Sequence, residues 1–162
     1  MKETDLAYIA GILDGEGYIG IKKTTTRRNG RVNPQYQERV QVRMVDKGAI
    51  EFLADMLGGN YYKEKPSSTN GRPLYCYQTS DLQAVTILKK VLPYLRVKNR
   101  NALAVLELRK RKECPHKIAT QGQWVDRWGR DTVFTRWRHS PIEIEEREKL
   151  YQHCKSLNAV GI

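Results

Sequence analysis

Apolar positions change period repeatedly along the chain. Leu6, Ile9 and Leu13 fall at helical spacing, and Asp5 or Thr4 stands where a helix cap belongs. On the same segment Ala7, Gly11 and Gly15 lie four apart and form a second stripe, of small residues. A helix apolar on one side and nearly bare on another is expected to be covered twice. Small residues let a second backbone approach closely, a steric reason that holds outside membranes as well as in them. From Tyr18 the period drops to two. Tyr18–Thr26 and Tyr36–Val45 read as strands. In the second, Val40, Val42 and Met44 alternate with Arg39, Gln41 and Arg43, so one face is core and the other basic and polar. In the first, Lys22, Thr24 and Thr26 share a face, and the alternation continues to Arg28. The stretch between them, Arg27-Arg28-Asn29-Gly30-Arg31, carries a turn signal.

Helical spacing returns after Asp46. Ile50, Leu53 and Leu57 face inward on a segment stopped by Gly58-Gly59. Asn60–Lys65 and Leu74–Thr79 read as a second hairpin, joined by PSSTNGRP, with Lys63 and Lys65 on one face. Asp81 caps a helix to about Leu92, Pro93 breaks it, and YLRVKNRN leads into a helix over 99–112. The following stretch holds Trp124, Trp128 and Trp137 with little periodicity. It reads as a loop pinned to the body by aromatics rather than as a base-stacking surface. A last helix starts at Ser140 with Pro141 just inside it, and Gly161 lies past its end. The predicted order is α-ββ-α-ββ-α-α plus a tail. That is an α+β protein: an antiparallel sheet with helices on one face and a basic, polar other face. Residues 1–112 form the expected core domain. Residues 113–162 form a C-terminal extension, within the same domain or packed on it.

Charge gives the polar face a partner. Lys and Arg number 29 against 18 Asp and Glu, a net charge of +11, which fits a polyanion, nucleic acid foremost, better than a merely solvated surface. A twisted sheet exposing Lys, Arg, Gln and Thr can lie in a major groove of double-stranded DNA. No apolar run approaches the length of a membrane span and no signal-peptide core is present, so a soluble, intracellular protein with no membrane partner is expected. Cys76, Cys114 and Cys154 are odd in number and widely spaced, which fits a reducing compartment. The pairs Cys114/His116 and His153/Cys154 lack familiar zinc spacing and read as buried or incidental residues. Against this basic background Asp14 and Glu16 are conspicuous. They alternate with Gly15 and Gly17 where the first helix ends, at the negative end of its dipole, where a cation is favoured.

The segment IAGILDGEG, Ile9 to Gly17, resembles the LAGLIDADG motif of the homing endonucleases named after it. VQVRMVDKGAIEFLADMLGG and LPYLRVKNRNALAVLEL resemble that family's second strand and helix, and its basic loop and following helix. The resemblance covers residues 5 to about 112 and implies an α-ββ-α-ββ-α fold whose sheet is a DNA-binding saddle. It implies that motif helices meet at a dimer axis, here through Ala7, Gly11 and Gly15. Glu16 would then bind Mg²⁺, or another hard cation such as Mn²⁺ or Ca²⁺, over the scissile phosphates, with the Gly15 carbonyl as a further ligand. Asp14 would be a hydrogen-bonding group at the helix junction or, alternatively, catalytic. Lys98 matches a basic residue placed near the active site to stabilise charge or order water; the alternative is a solvated loop lysine. DNA reading would fall to Lys22, Thr24, Thr26, Arg28, Arg39, Gln41, Arg43, Lys63 and Lys65. One position departs from the pattern: Met44 stands where the family often has a polar residue at the end of the second strand. A single motif copy implies a homodimer and a pseudo-palindromic target, hence a metal-dependent, site-specific endonuclease of an intron or similar mobile element. The alternatives are a non-cleaving RNA-splicing maturase or DNA-binding regulator, and, outside the family, a basic structural nucleic-acid binder.

Overall fold

The computed structural model describes residues 1–28, 31–66 and 71–159, and for 27, 28 and 31–33 the backbone only. The turn expected at Asn29-Gly30, residues 67–70 of the second connection and Gly161 lie outside the described residues. The elements run α1 (Glu3–Glu16), β1 (Gly17–Arg28), β2 (Arg31–Met44), α2 (Lys47–Leu57), β3 (Tyr61–Glu64), β4 (Leu74–Ser80), α3 (Asp81–Val91), α4 (Asn99–Glu113), β5 (Lys117–Val125), β6 (Asp131–His139) and α5 (Pro141–Ala159). A 3₁₀ turn, Leu92–Tyr94, separates α3 from α4. The protein is α+β. Strands β1 to β4 form an antiparallel sheet in the order β1-β2-β4-β3.

The alternation of β2 decides how the sheet is used. Register pairs Gly17 with Val42, Ile19 with Val40, and Ile21 with Glu38. Val42 and Val40 pair on their other side with Tyr77 and Thr79 of β4. These residues face the helices and are buried with Ile9 and Leu13 of α1, Ile50 and Leu53 of α2, Leu88 of α3, and Val105 and Leu108 of α4. The opposite face carries Tyr18, Lys22 and Thr24 of β1 beside Gln41, Gln37 and Gln35 of β2. β4 pairs only with residues 39–44, so Pro34 lies where β2 has a neighbour on one side alone. Its missing N–H costs no ladder bond there, which is why β2 begins at Arg31 and not at Tyr36.

Helix α1 starts before the expected cap. Lys2 N donates to Asp5 Oδ2 at 2.9 Å, so Asp5 reaches back from inside the helix. At the other end α1 runs on to Glu16, past Leu13. The expected cap of α2 is formed: Asp46 Oδ1 accepts from Ala49 N at 2.8 Å. Gly58, at φ 73°, ends that helix with a backbone that a side chain would strain.

The C-terminal extension differs from the loop that the sequence predicts. Residues 117–139 form a two-stranded sheet, β5–β6, and Trp124, Trp128 and Trp137 are 57%, 66% and 65% exposed. They do not pin the segment to the body. Helix α5, by contrast, joins the core through Cys154, with Leu150 and Tyr151 packed on it. Asn158 Nδ2 donates to Ile19 O at 3.0 Å, along the edge strand β1. The ion pair of Lys23 with Glu148 (2.7 Å) and the hydrogen bond from Tyr36 to Glu148 fasten the middle of α5 to the sheet. Burial pushes the Glu148 carboxyl up, but hydrogen bonds from Lys23, Tyr36 and Gln152 outweigh it and hold the pKa at about 2.

Candidate functional site

One lysine holds the last turn of α1. Lys98 Nζ donates to the carbonyls of Leu13 (2.9 Å), Asp14 (2.8 Å) and Gly15 (3.4 Å). These carbonyls belong to the helix end, where acceptors lack partners and a cation is favoured. Asp14 in turn fixes the lysine. Its Oδ2 accepts from Arg96 N at 2.7 Å and its Oδ1 from Lys98 N at 2.8 Å. Burial lowers the Lys98 pKa, and the charges of Asp14 and Glu16 pull it back up. Asp14 is engaged in hydrogen bonds at the junction, to the amides of residues 96 and 98. The geometry gives Lys98 a fixed seat at the helix end in place of a solvated loop. The acid at the wrong end of the dipole is therefore compensated within the chain.

Glu16 differs from Asp14. It is exposed and makes no hydrogen bond or ion pair among the described residues. Beside it a concavity of about 1010 Å³ opens between the start of β1, the stretch 95–101 and the end of α5. Tyr18, Arg96, Lys98 and Arg100 line it. Tyr18 lies flat along the sheet because Gly20 leaves room: a Cβ there would meet the phenol oxygen at 2.5 Å. Sequence reasoning passed over Tyr18, Arg96 and Arg100, although both arginines sit in the basic stretch already singled out by its composition.

The open face of the sheet brings together Lys22, Thr24 and Thr26, all exposed, with Arg39 and Arg43. Only the backbone of Arg28 is described. Gln41 is on this face but 8% exposed, with Nε2 3.1 Å from Cys76 Sγ, so it holds the face together instead of presenting an amide. Arg39 is hydrogen-bonded to Gln78, and Arg43 is 3.1 Å from Glu64. Lys63 is not part of this surface. It pairs with Tyr75, on the helix side, and Tyr61 two residues earlier donates to Glu51 of α2 at 2.5 Å. Tyr62 and Glu64 take the open side instead, and Lys65 lies past the end of β3. Met44 packs on the core and contributes nothing to the open face.

On the other side of the axis of α1, Ala7, Gly11 and Gly15 are exposed, and a Cβ built on either glycine meets nothing within 4 Å. Among the described residues nothing supplies the second covering expected for this stripe. The oxygens at the end of α1 are the exposed Glu16 carboxylate, without a partner among the described residues, and the Gly15 carbonyl, which accepts from Lys98 Nζ at 3.4 Å. Among the described residues no three His, Cys, Asp or Glu side chains converge on a point. Such a sparse oxygen set suits a hard cation that keeps water and takes phosphate oxygens, as Mg²⁺ does, and not a protein-only cage. Cys154, buried with its pKa pushed up to about 12, is no ready ligand, and Cys114 is exposed. No described helix is long and apolar enough to cross a membrane.

No family model matches the chain, and no curated protein matches it by sequence. Solved structures do. The homing endonuclease I-CvuI, in complex with the I-CreI target in 2 mM Mg with the DNA not cleaved, superposes with a TM-score of 0.66 at 18% identity, over 96% of this chain and 82% of that one. That overlap runs past residue 112 into the C-terminal segment. The same enzyme with its own target and Ca gives 0.54 at 24% identity, over 68% of this chain and 70% of that one. An archaeal intron-encoded homing endonuclease complexed with DNA gives 0.55 at 18%, over 70% and 72%. At these identities the likeness establishes a shared fold.

Proposed function

We propose that this protein is a site-specific DNA endonuclease of the LAGLIDADG homing type. It acts as a homodimer with a hard divalent cation on a long pseudo-palindromic duplex. The observation that carries the reading is the contrast at the end of α1: Asp14 and Lys98 are locked together, while Glu16 next to them is exposed and unpaired, at the foot of a basic sheet face. The fold shared with DNA-bound homing endonucleases supports it. Glu16 and the Gly15 carbonyl would hold the cation, which when bound polarises the phosphate and activates water. Lys98 keeps a positive charge beside that carboxylate. Lys22, Thr24, Thr26, Arg39 and Arg43 meet the major groove and its phosphates. One chain supplies one Glu16, and cutting two strands takes two. The uncovered stripe Ala7, Gly11 and Gly15 offers the surface for the second copy.

A non-cleaving reading, as RNA-splicing maturase or DNA-binding regulator, has one observation in its favour. Met44 is turned into the core, so β2 ends without a polar side chain aimed at the site. A randomised duplex library separates the two. Incubation with Mg²⁺, against the same with chelator, followed by sequencing of new ends, is expected to give metal-dependent double-strand ends around a two-fold related motif. Retention of duplexes with no new ends refutes cleavage and leaves the regulator.

A further inference from the structure

The basic side chains of α4 fall into two groups. Arg109 meets Glu38 at 3.0 Å, Lys110 meets Glu107 at 3.5 Å, Arg111 meets Glu146 at 3.1 Å and Lys112 meets Glu38 at 2.7 Å. Arg100, in the first turn, is exposed and has no carboxylate partner among the described residues. Arg96, just before the helix, is exposed too, and only its backbone N–H is used, by Asp14. Both arginines line the concavity beside Glu16. The other basic residue of that wall, Lys98, has its ammonium engaged by the carbonyls that end α1. A cation is disfavoured at the start of a helix, where the dipole is already positive. Arg100 at the start of a 15-residue helix therefore mirrors, with the sign reversed, the acids at the end of α1.

The same wall holds a buried carboxamide. Asn101 is 5% exposed and lines the concavity, and its side chain makes no hydrogen bond among the described residues. A buried amide without a partner costs free energy that a ligand recovers. The first turn of α4 adds backbone N–H groups with no helical acceptor. Two guanidinium groups, a carboxamide NH₂ and helix N–H groups together call for an anion with several acceptor oxygens, narrow enough to reach Asn101. A phosphodiester meets that description. Tyr18 joins the wall to the open face of the sheet: it lines the concavity and pairs across the strands with Gln41. Its ring lies flat along the sheet over Gly20, a surface on which an attached base can stack. We propose that Arg96, Arg100 and Asn101 seat a backbone phosphate of the DNA strand next to the phosphate at Glu16, which makes Arg100 a substrate-contacting residue. The proposal rests on the DNA-binding reading above. It puts cation and phosphate on separate sides of one junction, with Glu16 taking the first and the start of α4 the second.

The test titrates the isotope-labelled full chain, in chelator, and follows the amide signals of residues 99–101. The probes are a single-stranded thymidine tetranucleotide, inorganic phosphate and tetraglutamate. The tetranucleotide is expected to shift these signals saturably and to bind at least about tenfold tighter than either other probe. Arg100→Gln is expected to weaken it about tenfold and Arg100→Lys less than about threefold, at unchanged Tm because the side chain is exposed. Lys22→Ala, on the sheet, is expected to leave the shifts at 99–101 as they are. Inorganic phosphate binding as tightly as the tetranucleotide overturns the proposal in favour of a free-phosphate site, and equal binding of tetraglutamate overturns it in favour of an acidic protein. Shifts at 99–101 that follow protein concentration and ignore the tetranucleotide identify a second copy as the occupant and overturn it too. A tetranucleotide that shifts only β1 and β2 overturns the proposal while the DNA reading stands. Failure of both the tetranucleotide and a long duplex to bind anywhere overturns both.

Discussion

Replacing Asp14 with Asn separates a structural acid from a catalytic one. The change keeps the side chain's shape but leaves one acceptor where two backbone amides arrive, Arg96 N at 2.7 Å and Lys98 N at 2.8 Å. One amide then faces an NH₂ group. A hydrogen bond to a charged group contributes about 1.5–3 kcal/mol, and a donor left unpaired costs about as much again when buried. The Arg96 bond is exposed and the Lys98 bond half-buried, so water recovers part of the loss, and a destabilisation of about 2 kcal/mol is expected. That corresponds to about 4–8 °C in Tm for a chain of this length. The Asp14 charge also holds the Lys98 pKa up against burial, so Asp14→Asn lowers it further. Urea unfolding should show a lower midpoint at unchanged slope, and hydrogen exchange should accelerate at the amides of 96 and 98. Cutting should fall because Lys98 shifts, and excess Mg²⁺ should not restore it. A loss under about 0.5 kcal/mol, or recovery of full activity at high Mg²⁺, would refute the structural assignment.

Three further outcomes follow from the same geometry. Gly11→Leu meets open space within one chain, so the isolated chain should gain about 0.5–1 kcal/mol from helix propensity while sedimentation reports loss of the dimer; an unchanged dimer mass would remove the stripe from the interface. Lys22→Ala should weaken DNA binding and, with two copies of the residue per dimer, lower the salt slope by about 1.8, whereas Lys63→Ala, on the helix side, should leave the slope alone; equal effects would contradict the strand register. Glu148 titrates at about 2 in the folded chain against about 4.3 unfolded, so the unfolded chain takes its proton first as pH falls. Its contribution is complete above about pH 4.3 and gone near pH 2, and Glu148→Gln should flatten that limb of the stability curve by about 1 kcal/mol after solvent screening; parallel curves for parent and variant would contradict the pairing with Lys23 and Tyr36.

What the sequence reveals tracks how far each signal reaches along the chain. Val40 and Val42 against Arg39 and Arg43 is a local alternation set by one buried face, and it gives β2 its correct parity. Lys63 went to the wrong face because Tyr61 and Tyr62 are adjacent aromatics and break no tie between parities; only the pairing with Tyr75 does. Strands β5 and β6 have almost no buried residue, so burial imposes no alternation that a reader could find. The role of Lys98 depends on carbonyls more than eighty positions away in the chain. Composition marks that stretch as basic, but nothing local says that its ammonium closes α1. The same long-range contact explains why α1 runs to Glu16 when the apolar stripe ends at Leu13.

The central claim is that an unpaired carboxylate at position 16 makes a DNA-binding sheet into a cutting one. Glu16→Gln, assayed side by side for double-strand ends and for duplex affinity across a Mg²⁺ series, tests it most directly. The expected result is no ends at any Mg²⁺ concentration with affinity within about tenfold of the parent. Cutting that survives the substitution, or affinity lost in step with cutting, would contradict it.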